Sequence, residues 1–189
     1  YYDASGIIQE SFDRAIQNGG LSPAMEARGM ALAKSVEPAI FYIGFNMQDP
    51  VVGAPGGARA RKLRQAMSLA VDAVEFLRIF NNGRDVPAQS AIPPGIFGYD
   101  PAYTNPYRKP DLERARALLA DAGYRGGIDP KTQRPLHLTF DAGSPDTRSR
   151  LRYQFWVDSW RRIGIDVEIA AQNYNAFQET LDPDLCDRT

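Results

Sequence analysis

The chain offers little that could do covalent chemistry. Its single histidine, His137, and its single cysteine, Cys186, are the only candidates for imidazole or thiol work. An enzyme needs a nucleophile, a base and a group that orients the base. His137 falls on the polar side of an alternating run whose other side is Leu136, Leu138 and Phe140. In that setting a hydrogen-bonded surface histidine is the ordinary outcome. Cys186 lies beside Asp184 and Asp187, whose charge disfavours a thiolate. One His and one Cys make no cluster of metal ligands and no internal disulfide. The run from Gly53 to Gly57 lacks the Lys-Ser/Thr pair that would hold phosphate and magnesium, so it reads as a joint. The sequence therefore assigns no catalytic residue, no metal and no cofactor.

Charge sets a second bound. Twenty-two basic and 23 acidic residues leave a formal charge of -1, without the broad positive field that nonspecific nucleic-acid binding requires. The local exception is Arg59, Arg61, Lys62 and Arg64 at the start of a helix, where the helix dipole disfavours each cation by roughly 0.3–1 kcal/mol. Two readings account for them: an anionic or carboxylate partner, or solvated arginines with a structural pair. The second is the usual behaviour of charge runs. At 189 residues, 43% hydrophobic and 24% charged, the chain can bury a core without staples.

The elements that must position these residues follow from periodicity. Ile8, Phe12, Ala15 and Ile16 predict a short helix over Ser5 to Gln17, with Asn18, Gly19 and Gly20 as its stop. Ser22 before Pro23 reads as a helix start. Met30 to Val36, and the apolar run Ile40 to Met47, predict an antiparallel hairpin whose second strand is buried on both faces. One long helix is expected from Arg61 to Phe80, and Arg84 to Lys109 is a loop rich in proline and aromatic residues. Asp111 is placed to cap a helix that Gly123 closes. A strand at Leu136 to Asp141, a helix started by Ser144 and Pro145 and stopped by Gly164, and a strand at Ile165 to Ala171 predict a right-handed parallel crossover. Asn175 to Leu181 reads as a last short helix. The fold class is α/β, a mixed sheet with helices on its faces.

Three blocks carry a resemblance. The first comprises Gly44, Phe45, Asn46, Asp49, Pro50, Leu63, Arg64, Gln65, Ala66, Ser68, Ala70 and Asp72, with Ile92 to Tyr99 following at the expected place. The second comprises Asp111, Ala115, Leu118, Leu119, Ala122, Gly123 and Tyr124, and the third runs from Arg161 to Ile169. Together they resemble the extracellular solute-binding proteins of ABC transporters, family 5, which include oligopeptide and dipeptide binders. The resemblance implies one lobe of a type II periplasmic-binding-protein-like fold. Residues 1–189 would form a single α/β domain, the C-terminal-lobe fragment of a two-lobed receptor, with a helical lead-in at 1–28 and the proline- and aromatic-rich loop at 84–110. It also implies a structural role for Arg64, a small-molecule or peptide ligand, handover to a membrane permease, and a periplasmic or membrane-anchored extracellular location. No apolar run nears the roughly 20 residues of a membrane span, and no leader stands at the N-terminus. Read alone this favours the cytoplasm, and the resemblance overrides it.

In open α/β sheets ligands sit beyond the carboxyl ends of parallel strands. Those ends place Asp141, Ser144 and Arg148 after the first strand and Asn173 and Tyr174 after the second. The resemblance points to the same places: the position of Arg148 can touch a ligand side chain, and that of Tyr174 lines the peptide groove in some members. The competing reading has Ser144 capping its helix, Arg148 solvated and Tyr174 covering the sheet edge. With one lobe alone, tight ligand binding is not expected. The alternative functions are an α/β hydrolase or transferase and a stand-alone interaction module.

Overall fold

A computed structural model describes residues 6–7, 11–144 and 146–181. In chain order the elements are α1 (Phe12–Ala15), β1 (Ile16–Gln17), β2 (Gly20–Leu21), α2 (Pro23–Glu26), α3 (Gly57–Ala70), α4 (Ala73–Asn81), α5 (Leu112–Asp121), β3 (Ile128–Asp129), β4 (Arg134–Pro135), β5 (His137–Ala142), α6 (Thr147–Arg161), β6 (Asp166–Ala171) and α7 (Tyr174–Leu181). The chain is α/β, and its described residues form helices and three two-stranded sheets, two antiparallel and one parallel. It gathers into two compact units, Tyr1–Phe41 with Val74–Thr104, and Tyr42–Ala73 with Asn105–Thr189. Among the described residues no helix is long and apolar enough to cross a membrane.

In the first unit the expected Ser5 to Gln17 helix lies partly outside the described residues, and what is described of it is the single turn α1. Ile16 and Gln17 instead pair with Leu21 and Gly20. Asn18 and Gly19, at φ of 51° and 79°, supply the two left-handed residues that a two-residue hairpin turn demands. The same dipeptide that can stop a helix here reverses a strand. Ser22 starts α2 with Pro23 at its first position, but its hydroxyl makes no capping bond.

The hairpin expected from Met30 to Met47 is absent: among the described residues this run carries no ladder. A strand is defined by its partner's edge, which an apolar run alone does not supply. Phe41 and Tyr42 are 95% and 80% exposed, contrary to burial on both faces. Ile43 and Phe45, in the second unit, do pack against its core.

That core is formed by α3, α5, α6 and the parallel pair. Leu63, Leu69, Leu119, Val157 and Ile165 are fully buried. The Trp160 indole N–H donates to the Met67 carbonyl at 3.2 Å and ties α6 to α3. Phe140 of β5 meets Tyr153, Trp156 and Trp160 of α6 edge-on, with centroids 5.6 to 5.9 Å apart, the geometry ring quadrupoles favour. The single long helix is corrected to two. Val71 is extended at φ -97°, ψ 124°, and Asp72, a helix-starting residue type, precedes α4. Asp111 caps α5, accepting from the Arg114 N–H at 2.9 Å.

Candidate functional site

The parallel pair is in register from His137↔Asp166 to Ala142↔Ala171, so both strands end level and their following loops leave side by side. After β5 the chain passes Gly143 and Ser144 to α6. After β6 it passes Gln172 and Asn173 to α7. The Gln172 N–H donates to the Ala142 carbonyl at 2.9 Å, which carries the pairing one bond past the last register pair. A Cβ on Gly143 would lie 2.7 Å from the Phe177 ring of α7, so only glycine lets α7 approach this loop so closely.

The five predicted positions fall on or beside these loops. Ser144 does not cap α6: Asp146 does, accepting from the Ser149 N–H at 3.0 Å. The Ser144 hydroxyl donates to the other Asp146 oxygen at 2.5 Å. Bonds from Ser144 first, then Ser149, hold the Asp146 carboxyl well below the usual carboxylate range. Asp146 is thus the residue that the sequence reading missed, although a cap residue three before Ser149 was a visible signal. Asn173 caps α7, accepting from the Ala176 N–H at 3.0 Å. Tyr174 opens α7 with 65% of its surface exposed. Arg148 is exposed on the first turn of α6. Asp141 stands one register pair back, opposite Ala170, on the exposed side of β5. The structure therefore groups Ser144, Asp146 and Arg148 on one loop and helix start, and Asn173 and Tyr174 on the adjacent one.

His137 stands at the opposite end of the strands. Its Nδ1 is 2.9 Å from Asp166 Oδ2, and its Nε2 is 3.6 Å from Glu168 Oε2. The bond to Asp166, with Glu168 adding, raises its pKa. Both ring nitrogens face carboxylates, which is an exposed ion pair rather than a base aimed at a hydroxyl. Cys186 lies outside the described residues. Among the described residues no group of three or more His, Cys, Asp or Glu is placed to hold a metal ion.

The arginine-rich start of α3 is resolved as structure. Arg64 Nη1 donates to the carbonyls of Val52 and Gly53. The turn that presents those carbonyls is held by Asp49, whose Oδ1 accepts from the N–H groups of Val51 and Val52 at 2.7 and 2.8 Å. Lys62 pairs with Asp121 at 3.1 Å, and the Arg59 guanidinium lies 4.2 Å above the Tyr124 ring. A cleft of about 350 Å³ runs along Arg59, Lys62, Asp121, Gly123 and Pro130. It contains none of the five strand-end residues; Lys62 is paired there, while Arg59 stacks on Tyr124 with its Nε buried and without a hydrogen-bond partner.

Comparison with known proteins gives these features a context. The chain is 28% identical over 126 residues to the oligopeptide-binding protein OppA of Lactococcus lactis subsp. cremoris, covering 65% of this chain and 21% of that protein. It is 29% identical over 142 residues to the dipeptide-binding protein of Escherichia coli, covering 72% and 23%. It therefore spans about a fifth of the length of these curated relatives. The heme-binding protein A of Haemophilus influenzae is 32% identical over 105 residues, 55% of this chain and 18% of that one. Among solved structures, the oligopeptide-binding protein AppA of Bacillus subtilis with a bound nonapeptide superposes with a TM-score of 0.63 at 20% identity, over 75% of this chain and 28% of that one, which is a likeness of fold. Lactococcal OppA, closed on an endogenous peptide, gives a TM-score of 0.54 at 26% identity, over 63% and 23%. The hydrolase or transferase alternative finds no support in these relatives, which are binding proteins. With residues 2–185 matching the family described as bacterial extracellular solute-binding proteins, family 5 Middle, the chain belongs to that family.

Proposed function

We propose that this chain is part of the solute-binding component of an ABC transporter, a receptor without catalytic activity that captures a peptide or similar small solute outside the inner membrane and delivers it to a membrane permease. Residues 1–189 would supply chiefly one of its two lobes, with the 84–110 stretch as a surface loop. The observation that carries the reading is the level parallel pair β5 and β6, whose carboxyl ends open onto two adjacent helix starts. This is where α/β sheets hold ligands. Kinship to oligopeptide- and dipeptide-binding proteins supports a peptide-class cargo, and kinship to a heme-binding protein makes the cargo a matter for experiment. Asp141, Ser144, Arg148, Asn173 and Tyr174 are the proposed contacts.

The test uses the longer protein that carries this segment. Its ligand is first identified by a thermal-shift screen with peptides, heme and small solutes, then titrated calorimetrically. Tyr174→Ala and Arg148→Ala should each weaken affinity by more than about threefold, the factor that roughly 0.7 kcal/mol produces. Two variants with unchanged affinity would remove this surface from the ligand face. Turnover of the ligand would overturn the receptor reading.

A further inference from the structure

The sequence contains two Asn-Gly pairs, Asn18-Gly19 and Asn82-Gly83, and the fold treats them differently. We infer that Asn18 is a site of spontaneous covalent modification, deamidating through a cyclic imide with Gly19, while the fold shields Asn82 from the same reaction. In the reaction the main-chain nitrogen of the glycine attacks the side-chain Cγ of the asparagine. A C–N bond forms, the side-chain nitrogen leaves as ammonia, and water then opens one of the two imide C–N bonds. Opening on one side gives aspartate, and on the other gives isoaspartate. Glycine is the most permissive following residue because no Cβ hinders the five-membered ring.

At Asn18 the reacting groups are accessible. Both residues of the turn are exposed, and an added Cβ on Gly19 would meet nothing within 4 Å. The strand pairs on either side are Gln17↔Gly20 and Ile16↔Leu21, so the nitrogen that must attack belongs to the turn and not to the paired residues. The Lys34 ammonium donates to the Gly19 carbonyl at 2.8 Å, a contact that uses neither the Gly19 nitrogen nor the Asn18 side chain. At Asn82 the attacking nitrogen is engaged. The Gly83 N–H donates to the Leu77 carbonyl at 3.0 Å as the closing bond of α4, and the Asn82 side-chain oxygen is buried. Attack there requires the helix end to open first.

The products have unequal consequences. Aspartate tolerates the left-handed turn position. Isoaspartate adds a carbon to the main chain inside a two-residue turn, which displaces Ile16 from Leu21 and stretches the bond from the Ser22 N–H to the Ala15 carbonyl, now 2.7 Å.

The experiment incubates the folded protein at mildly alkaline pH and follows both tryptic peptides by mass spectrometry, with isoaspartate distinguished by its fragmentation. Conversion at Asn18 should exceed that at Asn82 by about tenfold or more, one hydrogen bond's worth at the barrier, and Asn18→Gln should abolish the signal at that position. In urea the two rates should converge, because both are Asn-Gly. Equal rates in the folded protein, faster conversion at Asn82, or a bias that persists in urea would each overturn the inference.

Discussion

Two adjacent glycines give a sharp test of how the core is closed. Gly126 and Gly127 both adopt left-handed backbone, at φ of 65° and 79°. They differ in what surrounds them. A Cβ on Gly126 meets nothing within 4 Å, whereas one on Gly127 would lie 2.0 Å from the Gly164 carbonyl oxygen and 2.4 Å from its carbon. Alanine at either position incurs the left-handed penalty of about 1–2 kcal/mol, partly offset by about 0.4–1 kcal/mol from the stiffer unfolded chain. Gly126→Ala should thus cost about 1 kcal/mol. Gly127→Ala must also push apart two stretches of main chain that cannot rotate out of the way as a side chain would. One of them holds Leu136 through the Gly127 carbonyl at 2.7 Å, and the other leads into Ile165. Overpacking of this kind adds about 1–3 kcal/mol, for about 2–4 kcal/mol in all. Urea unfolding followed by the fluorescence of Trp156 and Trp160 reads the difference. With a slope of about 2 kcal/mol per molar, the two midpoints should separate by about 0.5–1.5 M. Two variants that unfold together, or Gly126→Ala as the weaker protein, would refute the close approach of these backbones.

Two further outcomes follow from the same packing. Asp111→Ala should destabilise the protein by about 1 kcal/mol through loss of the α5 cap, with Asp111→Asn retaining most of it, as read by the same unfolding assay. His137 has a raised pKa from Asp166 and Glu168, so its contribution is fully present below the ordinary histidine value near 6.5 and disappears as pH rises through the raised one. Because the pair is exposed, the effect should stay under about 1 kcal/mol. An imidazole NMR titration should show the elevated midpoint, and His137→Gln should flatten that part of the stability profile.

Much of the second unit was legible because its signals are local. Leu136, Leu138 and Phe140, then Ile165, Val167 and Ile169, alternate at the strand period on either side of a helix-length segment, and the parallel crossover follows from that arrangement. Asp111, Gly123 and Gly164 act at α5 and α6 as their residue types require. The failures concern information held elsewhere in the chain. A strand at Ile40 to Met47 depends on an edge to pair with, which an apolar run does not encode. The break at Val71 was hidden because the apolar periodicity of α3 continues into α4. Asn18-Gly19 serves helix stops and hairpin turns equally, and the flanking pair Ile16↔Leu21 decided between them. For the candidate surface, the strand ends were readable and the capping role was not, since Ser144 and Asp146 are both cap residues two positions apart. Whether a loop residue meets a ligand is written even less plainly, because caps and contacts share one composition.

The absence of a side chain at position 143 has a consequence for recognition. Phe177 fills that space, and the Gln172 side chain donates to Thr180 Oγ1 at 2.8 Å, so the middle and end of α7 are held against the two strand-end loops. Asn173, which caps α7, and Tyr174 are thereby tied through that helix to the loop that carries Ser144. If the proposed ligand face is right, a solute landing there would meet a surface already held by packing, which would lower the entropy loss of binding. Selectivity would then rest on the shape of that surface rather than on its ability to adapt.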